Sequence, residues 1–312
     1  MLRSEGQRLL ARTHKPGVGG SNPPLATNDM KNLKMFCLCL NDHHLDNLKA
    51  INYTPVGLGK GLFNDEWLKD NTGKNISEKN SYYGEYTFYY WIWKNYLYIK
   101  KENEINDLWI GFSGYRYHWA DNNQTKSDDL NRIVNKDNFS KYILRNAKPE
   151  WENYDVVLGE KLNVDEWKLS KILKKGYKKL IKNPFAFKRE NQNIKLHFDV
   201  FHGDGILDKA IDLLDNDNRQ DFDDFVKNEK SFNRENLFIC KSPELMDSYF
   251  NSVFDWLYKC EKLFGFNLKG YAKTRIYAFL AERYISYWFQ KNAKVLEWPL
   301  FFFDTHKNRI KL

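Results

Sequence analysis

The sequence predicts an α/β domain with a mostly parallel central sheet flanked by helices. Short apolar runs alternate along the chain with segments of helical periodicity, the order typical of parallel sheets. The first run is almost entirely apolar, as expected for a strand buried on both faces. Hydrophobic residues make up 42% of the 312 residues, which is enough for a packed core. Ligands of such sheets bind beyond the carboxyl ends of the strands, so we expect the functional residues there.

The predicted strands are short apolar runs. The first, residues 34–40, is followed directly by the polar residue Asn41. This change of composition predicts that Asn41 lies at the carboxyl end of a buried strand, where it is a candidate donor-binding residue. Further strands are predicted at residues 53–57, 108–112, 154–158 and 237–240.

The predicted helices are recognised by their periodicity and their end signals. Ser242-Pro243 predicts a helix start, since Ser is a good N-cap and Pro fits the first turn. Gly265 is the expected stop of that helix. The last helix is predicted at residues 274–289. An aromatic-rich stripe at three- and four-residue steps predicts one helix over residues 81–98: Tyr82, Tyr86, Tyr89, Trp93 and Leu97.

The charge of the chain does not identify a partner. The net charge is +8 and the isoelectric point is about 9.0. Lysine and acidic residues interleave along the sequence, so no basic block is expected. A mildly basic surface suits phosphorylated sugar donors, nucleic acid or an anionic membrane equally well.

Several features indicate a cytoplasmic protein. No apolar run reaches the roughly 18 residues that a membrane span requires. The first 28 residues lack the apolar centre of a secretion signal. Four cysteines, without a second pair at zinc-ligand spacing, are expected to be buried reduced thiols: Cys37, Cys39, Cys240 and Cys260.

The N-terminal segment differs from the rest of the chain. Residues 1–29 have no apolar periodicity and are rich in Gly and Pro, so we expect a disordered or non-native extension. Gly20-Ser21-Asn22-Pro23 resembles a translated transfer-RNA T-arm, which makes Met30 or Met35 the expected start. Residues 30–312 are predicted to form a single domain.

The most distinctive polar segment precedes the aromatic helix. Its Asn, Thr, Gly and Ser residues offer amide and hydroxyl groups that suit a ribose, a base edge or a phosphate. The alternative is a turn with a helix cap, which the same residue types favour. The candidate donor-binding residues in this segment are Asp70, Thr72, Gly73, Asn75 and Ser77.

A second candidate group follows the strand predicted at residues 108–112. Arg116 and His118 could neutralise a diphosphate, because the guanidinium fork matches phosphate oxygens. Tyr115 lies beside them and could stack on a sugar. The alternative is an exposed strand end with an incidental Arg.

Three residues are candidates for acid–base chemistry. His202 and Asp204 stand among glycines, where they could move a proton or hold a sugar hydroxyl. Glu282 lies off the apolar stripe of the last helix, so it faces either a cleft or solvent. The alternatives are a loop histidine and a solvated glutamate.

The acidic clusters superficially match the Asp-x-Asp metal motif of many sugar transferases. Asp215 and Asp217 form one cluster, and residues 221–224 contain the other. They do not follow a buried strand, so we predict a solvated loop and no metal ligands. No Walker-type phosphate loop, Gly-x-Ser-x-Gly elbow or zinc-binding His-Glu-x-x-His helix is present.

Residues around the aromatic helix carry a family resemblance. The run from Asn71 to Asn80, then Tyr82-Tyr83-Gly84-Glu85, then Tyr90 to Asn95, resembles domain of unknown function 4422. That family occurs in bacterial capsular and exopolysaccharide biosynthesis proteins described as glycosyltransferases. The resemblance continues through these segments: Ile110-Gly111, Tyr115-Arg116-Tyr117, residues 154–158, residues 236–239, and residues 279–283 with Trp288.

The resemblance implies a GT-A-like nucleotide-sugar-binding domain and a sugar transfer to a saccharide or lipid-linked saccharide acceptor. The family pattern His-Tyr-Arg-Arg-Tyr is replaced here by Gly114-Tyr115-Arg116-Tyr117-His118. In GT-A folds the corresponding strand ends in Asp-x-Asp with a divalent metal. We therefore expect no cofactor and no metal here, with Mn²⁺ as the ion to test, and Arg116 and His118 in the metal's place.

The roles implied for the chain are those of a capsular or surface-polysaccharide glycosyltransferase, with Glu282 the first candidate base and Asp204 the second. It is expected to be cytoplasmic, with peripheral contact to the inner membrane as a further option, and to bind no nucleic acid. Two alternatives stand beside it: a nucleic-acid-binding protein, and an inactive scaffold in a polysaccharide-assembly complex.

Overall fold

The computed structural model describes residues 32–97, 108–165, 169–304 and 309–310. The predicted N-terminal extension lies outside the described residues. A large mixed sheet forms the centre, and a two-stranded ribbon of β7 and β8 stands apart from it. The strands are β1 Leu33–Cys39, β2 Thr54–Gly57, β3 Leu68–Lys69, β4 Trp109–Gly114, β5 Tyr117–Trp119, β6 Val156–Gly159, β7 Lys161–Asn163, β8 Ser231–Asn233, β9 Phe238–Cys240, β10 Val295–Trp298, β11 Leu300–Asp304 and β12 Arg309–Ile310.

The helices surround this sheet. Their bounds are α1 Leu45–Ala50, α2 Asn80–Tyr83, α3 Tyr86–Trp91, α4 Ser127–Ile133, α5 Phe139–Tyr142, α6 Leu169–Lys182, α7 Ile194–His202, α8 Ile206–Ile211, α9 Asn216–Asn228, α10 Pro243–Phe264, α11 Tyr271–Thr274 and α12 Ile276–Asn292. A π-helical turn, Ile92–Leu97, continues α3.

The sheet is mostly parallel, as predicted. Its strand order is β10-β6-β9-β4-β1-β2-β3, and β9 is antiparallel to both of its neighbours. Leu38 of β1 pairs with Gly114 of β4, so the carboxyl ends of these two strands lie side by side. All five predicted strands are confirmed to within two residues, since buried apolar runs are a local signal.

The predicted helix over residues 81–98 is interrupted. Gly84 has a φ of +58° and separates α2 from α3. The Asn80 side chain donates to the Gly84 carbonyl oxygen at 2.9 Å, which closes the turn. Of the predicted stripe, Tyr86, Tyr89 and Leu97 are buried, whereas Tyr82 and Trp93 are half-buried.

The long helices α10 and α12 confirm their predictions. The Ser242 hydroxyl accepts the Leu245 N–H at 3.1 Å and caps α10, which ends at Gly265. The last helix, α12, begins two residues later and ends three residues later than the sequence indicates. Its length places Glu282 and Arg283 in the middle of the helix.

The acidic clusters do not form a solvated loop, which corrects the prediction. Asp215 is the N-cap of α9 and accepts the Asn218 N–H at 3.0 Å. The second cluster lies within this helix, whose Phe222 and Val226 are buried. Phe222 and Val226 are four residues apart, which is a helical spacing. The neighbouring acidic residues obscured this signal.

Most buried residues form one continuous core around the sheet. All four cysteines are buried free thiols, as expected. Within the described residues, no helix combines the length and apolar composition needed to cross a membrane.

Candidate active-site cleft

A cleft of about 320 Å³ opens at the carboxyl ends of β1 and β4. This is the edge at which the sequence predicted a ligand site. The floor consists of apolar side chains at the strand ends, and the walls carry arginines, glutamates and tyrosines. The lining residues are Leu38, Leu40, Leu58, Asn80, Gly84, Glu85, Gly114, Tyr115, Arg116, Tyr117, Glu235, Asn236, Leu237, Tyr271, Arg275, Ala278, Phe279 and Glu282.

One wall is the tight hairpin between β4 and β5. Gly114 pairs with Tyr117 across the turn, which places Tyr115 and Arg116 at its tip. The Tyr115 N–H donates to the Leu38 carbonyl oxygen at 3.2 Å, and the Arg116 carbonyl oxygen accepts the Phe303 N–H at 3.0 Å. The backbone of the tip is therefore fixed from two sides. The exposed Arg116 guanidinium lies 4.8 Å from the Tyr115 ring centre.

A second wall of the cleft begins with two residues in the left-handed backbone region, just before β9. Glu235 has a φ of +75° and Asn236 a φ of +54°, values that non-glycine residues rarely adopt. The Asn236 carbonyl oxygen accepts the Tyr89 hydroxyl at 2.6 Å, which secures this backbone against α3. Such strain is common at functional sites, where the surroundings over-determine the backbone.

A buried polar network joins this wall to α2, α3 and α12. The Asn236 amide donates to Glu85 at 3.0 Å and to the Ala278 carbonyl oxygen at 3.2 Å. Arg275 pairs with the other oxygen of Glu85 at 3.2 Å. Both Glu85 oxygens are thus engaged by protein donors, so this carboxylate has a positioning role in the wall.

Glu235 has the most perturbed carboxyl group of the cleft. Burial raises its pKa from 4.5 to about 7, and the neighbouring negative charge of Glu282 raises it further, while a hydrogen bond from Tyr117 opposes the shift. A carboxyl group with a pKa near neutrality can both accept and release a proton at physiological pH. Among the cleft residues, Glu235 therefore has the properties of a general base.

Glu282 is more strongly engaged than Glu235. One of its oxygens accepts the Glu235 N–H at 2.9 Å, and the other pairs with the buried Arg283 guanidinium. Arg283 in turn lies 3.1 Å from His197 Nδ1 and 3.4 Å from His202 Nε2. Both Glu282 oxygens are therefore engaged by donors of the protein itself.

The cleft does not offer a metal site. Across the described ranges, which omit residues 98–107 and 166–168 among others, no group of three or more His, Cys, Asp or Glu side chains could hold an ion. The tip of the β4–β5 hairpin carries Tyr115, Arg116 and Tyr117 and no carboxylate. A cation at this hairpin would face the Arg116 guanidinium, so the side chains here do not fit a divalent metal.

The comparisons with known proteins give the family of this chain. The family model described as Domain of unknown function (DUF4422) matches residues 37–293. The chain belongs to this family. The match includes every residue that lines the cleft. A comparison with curated proteins gives no match.

One solved structure shows the same fold as this DUF4422 member. It is described as the apo structure of WbbM, a bifunctional glycosyltransferase, and matches with a TM-score of 0.59 at 18% identity. The match covers 87% of this chain and 45% of that chain, so this chain spans about half the length of WbbM. At this identity the likeness shows the fold, which confirms the predicted GT-A-like class.

The structure brings three of the predicted site residues together. Tyr115, Arg116 and Glu282 all line the cleft, although they come from different ends of the chain. Asn41 lies just after β1, where its side chain accepts the His43 N–H at 3.3 Å and caps a short 3-10 turn. Its neighbour Leu40 lines the cleft, but Asn41 does not.

The position of His118 does not support a diphosphate contact. Its ring is fully buried among Phe139 and Phe301, and Nε2 lies 3.0 Å from the Phe303 carbonyl oxygen. Burial lowers its pKa to about 4, so the ring is neutral at physiological pH. Alternation along β5 explains the error, since adjacent residues of a strand point to opposite faces.

Asp70 does not line the cleft. The carboxyl group is fully buried and accepts the Gly59 N–H at 2.9 Å and the Thr87 hydroxyl at 2.6 Å. Burial raises its pKa. Asp70 instead ties the turn after β2 to α3.

The rest of the predicted donor loop uses its polar groups internally. Thr72 donates to the Lys69 carbonyl oxygen and accepts from Trp91, and Asn75 bonds to the Gly73 carbonyl oxygen and to Ser77. None of Thr72, Gly73, Asn75 and Ser77 is among the residues that line the cleft. The alternative of a turn with a cap therefore describes this loop.

The pair His202 and Asp204 lies behind the cleft wall. His202 is buried, stacks on Phe279 at 4.0 Å between ring centres, and contacts the Ala272 carbonyl oxygen at 3.2 Å. Asp204 is exposed and paired with Lys179 of α6. Neither lines the cleft, so His202 supports the wall and Asp204 is a surface residue.

The sequence analysis missed several polar residues of the cleft, among them Glu85, Glu235, Asn236 and Arg275. Glu85 and Asn236 were present in the segments that carry the family resemblance, which was the available signal. Glu235 lies two residues before the strand predicted at residues 237–240, on the side of its amino end. Because β9 is antiparallel to β4, the amino end of β9 meets the carboxyl end of β4.

Proposed function

We propose that this protein is a glycosyltransferase that moves a sugar from a nucleotide-sugar donor to a saccharide acceptor without a divalent metal. The observation that carries the proposal is the presence of Arg116 and Glu235 in the lining of one cleft at the sheet edge. A fixed positive charge and a carboxyl group of near-neutral pKa are the two groups that such a transfer requires. The family membership and the shared fold support the same reaction class.

In this proposal the donor lies along the ends of β1 and β4. The apolar floor of Leu38, Leu40 and Leu58 receives the nucleoside, and Tyr115 covers it from the hairpin. Arg116 contacts the diphosphate. Within the described residues Arg116 makes no ion pair, so its charge is available to a ligand.

The chemical step is a single displacement with inversion at the anomeric carbon. The Glu235 carboxylate takes the proton of the acceptor hydroxyl, and the acceptor oxygen attacks the anomeric carbon. The bond from that carbon to the diphosphate oxygen breaks, and the nucleoside diphosphate leaves with the electron pair. Arg116 stabilises the charge that develops on the leaving group. Glu282 keeps the pKa of Glu235 high through its own negative charge.

We further propose that the acceptor is a growing capsular or surface polysaccharide, carried on a lipid. Tyr271 and Phe279 line the cleft beside Glu235 and provide aromatic faces for a sugar. Tyr271 is 73% exposed, so its ring is accessible to a ligand at the cleft mouth.

The test is a binding and turnover screen with the purified full chain. A panel of nucleoside diphosphates and nucleotide sugars is titrated by calorimetry in EDTA and then with Mn²⁺, and release of the nucleoside diphosphate is followed with time. We expect one donor to bind equally well in both buffers. Binding that requires Mn²⁺ would contradict the metal-free proposal, and the absence of any donor binding would contradict the transferase.

Binding assays on the same purified chain distinguish the two alternative functions. A nucleic-acid-binding protein would bind single-stranded RNA or DNA with a steep salt dependence, and a scaffold would bind neither class. The cleft argues against nucleic acid, because Glu85, Glu235 and Glu282 accompany its two arginines. A polyanion is recognised by a groove with an excess of positive charge.

A further inference from the structure

The positive charge of the chain is concentrated in one segment. Between Lys168 and Arg189 the sequence has nine lysines and arginines and no aspartate or glutamate. The whole chain has a net charge of +8, so the remainder is close to neutral. The expectation that charges interleave everywhere is therefore wrong for this segment, which contains α6 and the turn that follows it.

The described end of this segment also exposes large apolar side chains. Leu180 packs inward against Phe187 and Leu196. On the outer side, Tyr177 is 48% exposed and Ile181, one helical turn later, is 77% exposed. Phe185 in the turn after α6 is 67% exposed. We call these three residues, with Lys178, Lys182 and Lys188, the basic apolar face.

The lysines of the basic apolar face surround its apolar residues. Lys178 lies 5.9 Å from the Tyr177 ring centre, and Lys188 lies 5.1 Å from that of Phe185. Lys178, Lys182 and Lys188 are all exposed. Exposed aliphatic and aromatic side chains ringed by lysine are typical of helices that lie in the interface of an anionic bilayer.

Packing connects the basic apolar face to the cleft. Lys179 of α6 pairs with Asp199 of α7 at 2.5 Å. His202, at the end of α7, contacts the Ala272 carbonyl oxygen in α11, whose first residue is Tyr271 at the cleft. Only α7 and α11 therefore separate the basic apolar face from the cleft wall.

We propose that the basic apolar face docks on an anionic lipid bilayer and holds the cleft close to its surface. Ile181 and Phe185 would enter the headgroup region while the lysines contact lipid phosphates. An RNA partner fits less well, because an exposed isoleucine gains nothing from a phosphate backbone. The docking stands on its own observations; that it serves a lipid-linked acceptor rests on the proposed function.

The test is vesicle co-sedimentation of the full chain at about 0.1 M salt, with vesicles of phosphatidylcholine alone or with roughly one quarter phosphatidylglycerol. We expect binding to the anionic vesicles only. K178Q/K182Q should weaken the partition roughly tenfold or more, because each lysine near an anionic surface contributes separately. I181S/F185S should weaken it by roughly tenfold through lost apolar contact.

Matched controls exclude general effects of charge and exposure. K136Q/K141Q removes the same charge from another exposed site, and L62S removes a side chain that is 90% exposed. Both should bind vesicles within about twofold of the wild type. Equal losses in control and face variants, or no binding to anionic vesicles, would overturn the proposal. Binding of single-stranded RNA that depends on the face, without vesicle binding, would also overturn it.

Donor binding separates this proposal from the proposed function. The face variants should bind a nucleoside diphosphate like the wild type, because none of the changed residues lines the cleft. If vesicles bind through the face and no donor binds, the docking stands and the transferase fails.

Discussion

The loop at residues 70–77 and the cleft wall at residues 235–236 show why polar composition alone does not identify a site. Both are short polar segments next to elements of the core. In the loop, Asp70 and Asn75 hydrogen-bond to nearby backbone and to α3. In the wall, the Glu235 side chain is held by Tyr117 and faces the cleft.

The difference lies in where the hydrogen-bonding capacity is used. A turn needs Asn, Gly, Ser and Thr for its own closure, so these residue types are consumed locally. A carboxyl group that is buried beside another carboxylate is costly for stability and is kept where chemistry needs it. The predictions below test this contrast, from the largest expected effect to the smallest.

Replacement of the proposed base should have the largest effect. Glu235→Gln should reduce the transfer rate about 10²- to 10⁴-fold, because general base catalysis is lost. Donor affinity should stay unchanged, as measured by calorimetry. The wild-type rate should rise with pH through about 7, because only ionised Glu235 accepts a proton. Glu78→Gln, which changes an exposed glutamate next to the loop, is the control. A similar loss of transfer rate in that variant would contradict the assignment of the base to Glu235.

Replacement of the proposed diphosphate ligand should come next. Arg116→Ala should lower turnover about 10²-fold, as expected when one charge-stabilising donor is removed. Lys74→Ala removes a positive charge from the exposed loop and should change turnover by less than about twofold. Rates with a saturating nucleotide sugar measure both effects. Unchanged kinetics in Arg116→Ala would place the diphosphate elsewhere.

Removal of the buried loop carboxylate should affect stability more than function. Asp70→Ala should reduce the free energy of unfolding by about 2–4 kcal/mol, because two buried donors lose their acceptor. Urea denaturation measures this change, and donor affinity of the folded variant should be retained. Asp65→Ala, at a fully exposed site, should cost less than about 0.5 kcal/mol. Normal stability with lost donor binding would show that Asp70 is a ligand-binding residue.

The pH dependence of stability should show that ionised Glu235 destabilises the folded protein. Its pKa rises from 4.5 to about 7 on folding, so ionisation opposes folding. The penalty is absent below pH 4.5, grows up to pH 7 and is constant above. The stability gain of Glu235→Gln over the wild type should therefore be about 2 kcal/mol larger at pH 8 than at pH 5. A gain that is equal at both values, measured by urea denaturation, would refute this cause.

The smallest effect should come from the loop. Asn75→Ala should cost about 1 kcal/mol or less, because it loses only turn hydrogen bonds. Donor affinity should change by less than about threefold. A more than tenfold loss of donor affinity, measured by calorimetry, would indicate that this loop binds the donor.

Part of the site could be predicted from the sequence, because it depends on local signals. The sheet edge at which the cleft opens was predicted from the apolar run before Asn41 and the strand before Gly114. Tyr115 and Arg116 follow that strand directly, so their position at the sheet edge could also be predicted. His118 was misplaced because the two-residue period applies to β5, which the sequence did not reveal as a strand. The C-terminal strands β10 to β12 were missed as well, since they are short and follow a long helix.

The sequence by itself determined the α/β class, five of the described strands, the ends of α10 and the edge at which the cleft opens. These follow from periodicity and capping, which act over a few residues. Only the tertiary structure decided which polar groups meet. Glu85 and Arg275 are 190 residues apart, and Glu235 and Glu282 are 47 apart. Because pKa values and ion pairs depend on distances in space, Glu235 could be proposed as the base only from the folded structure.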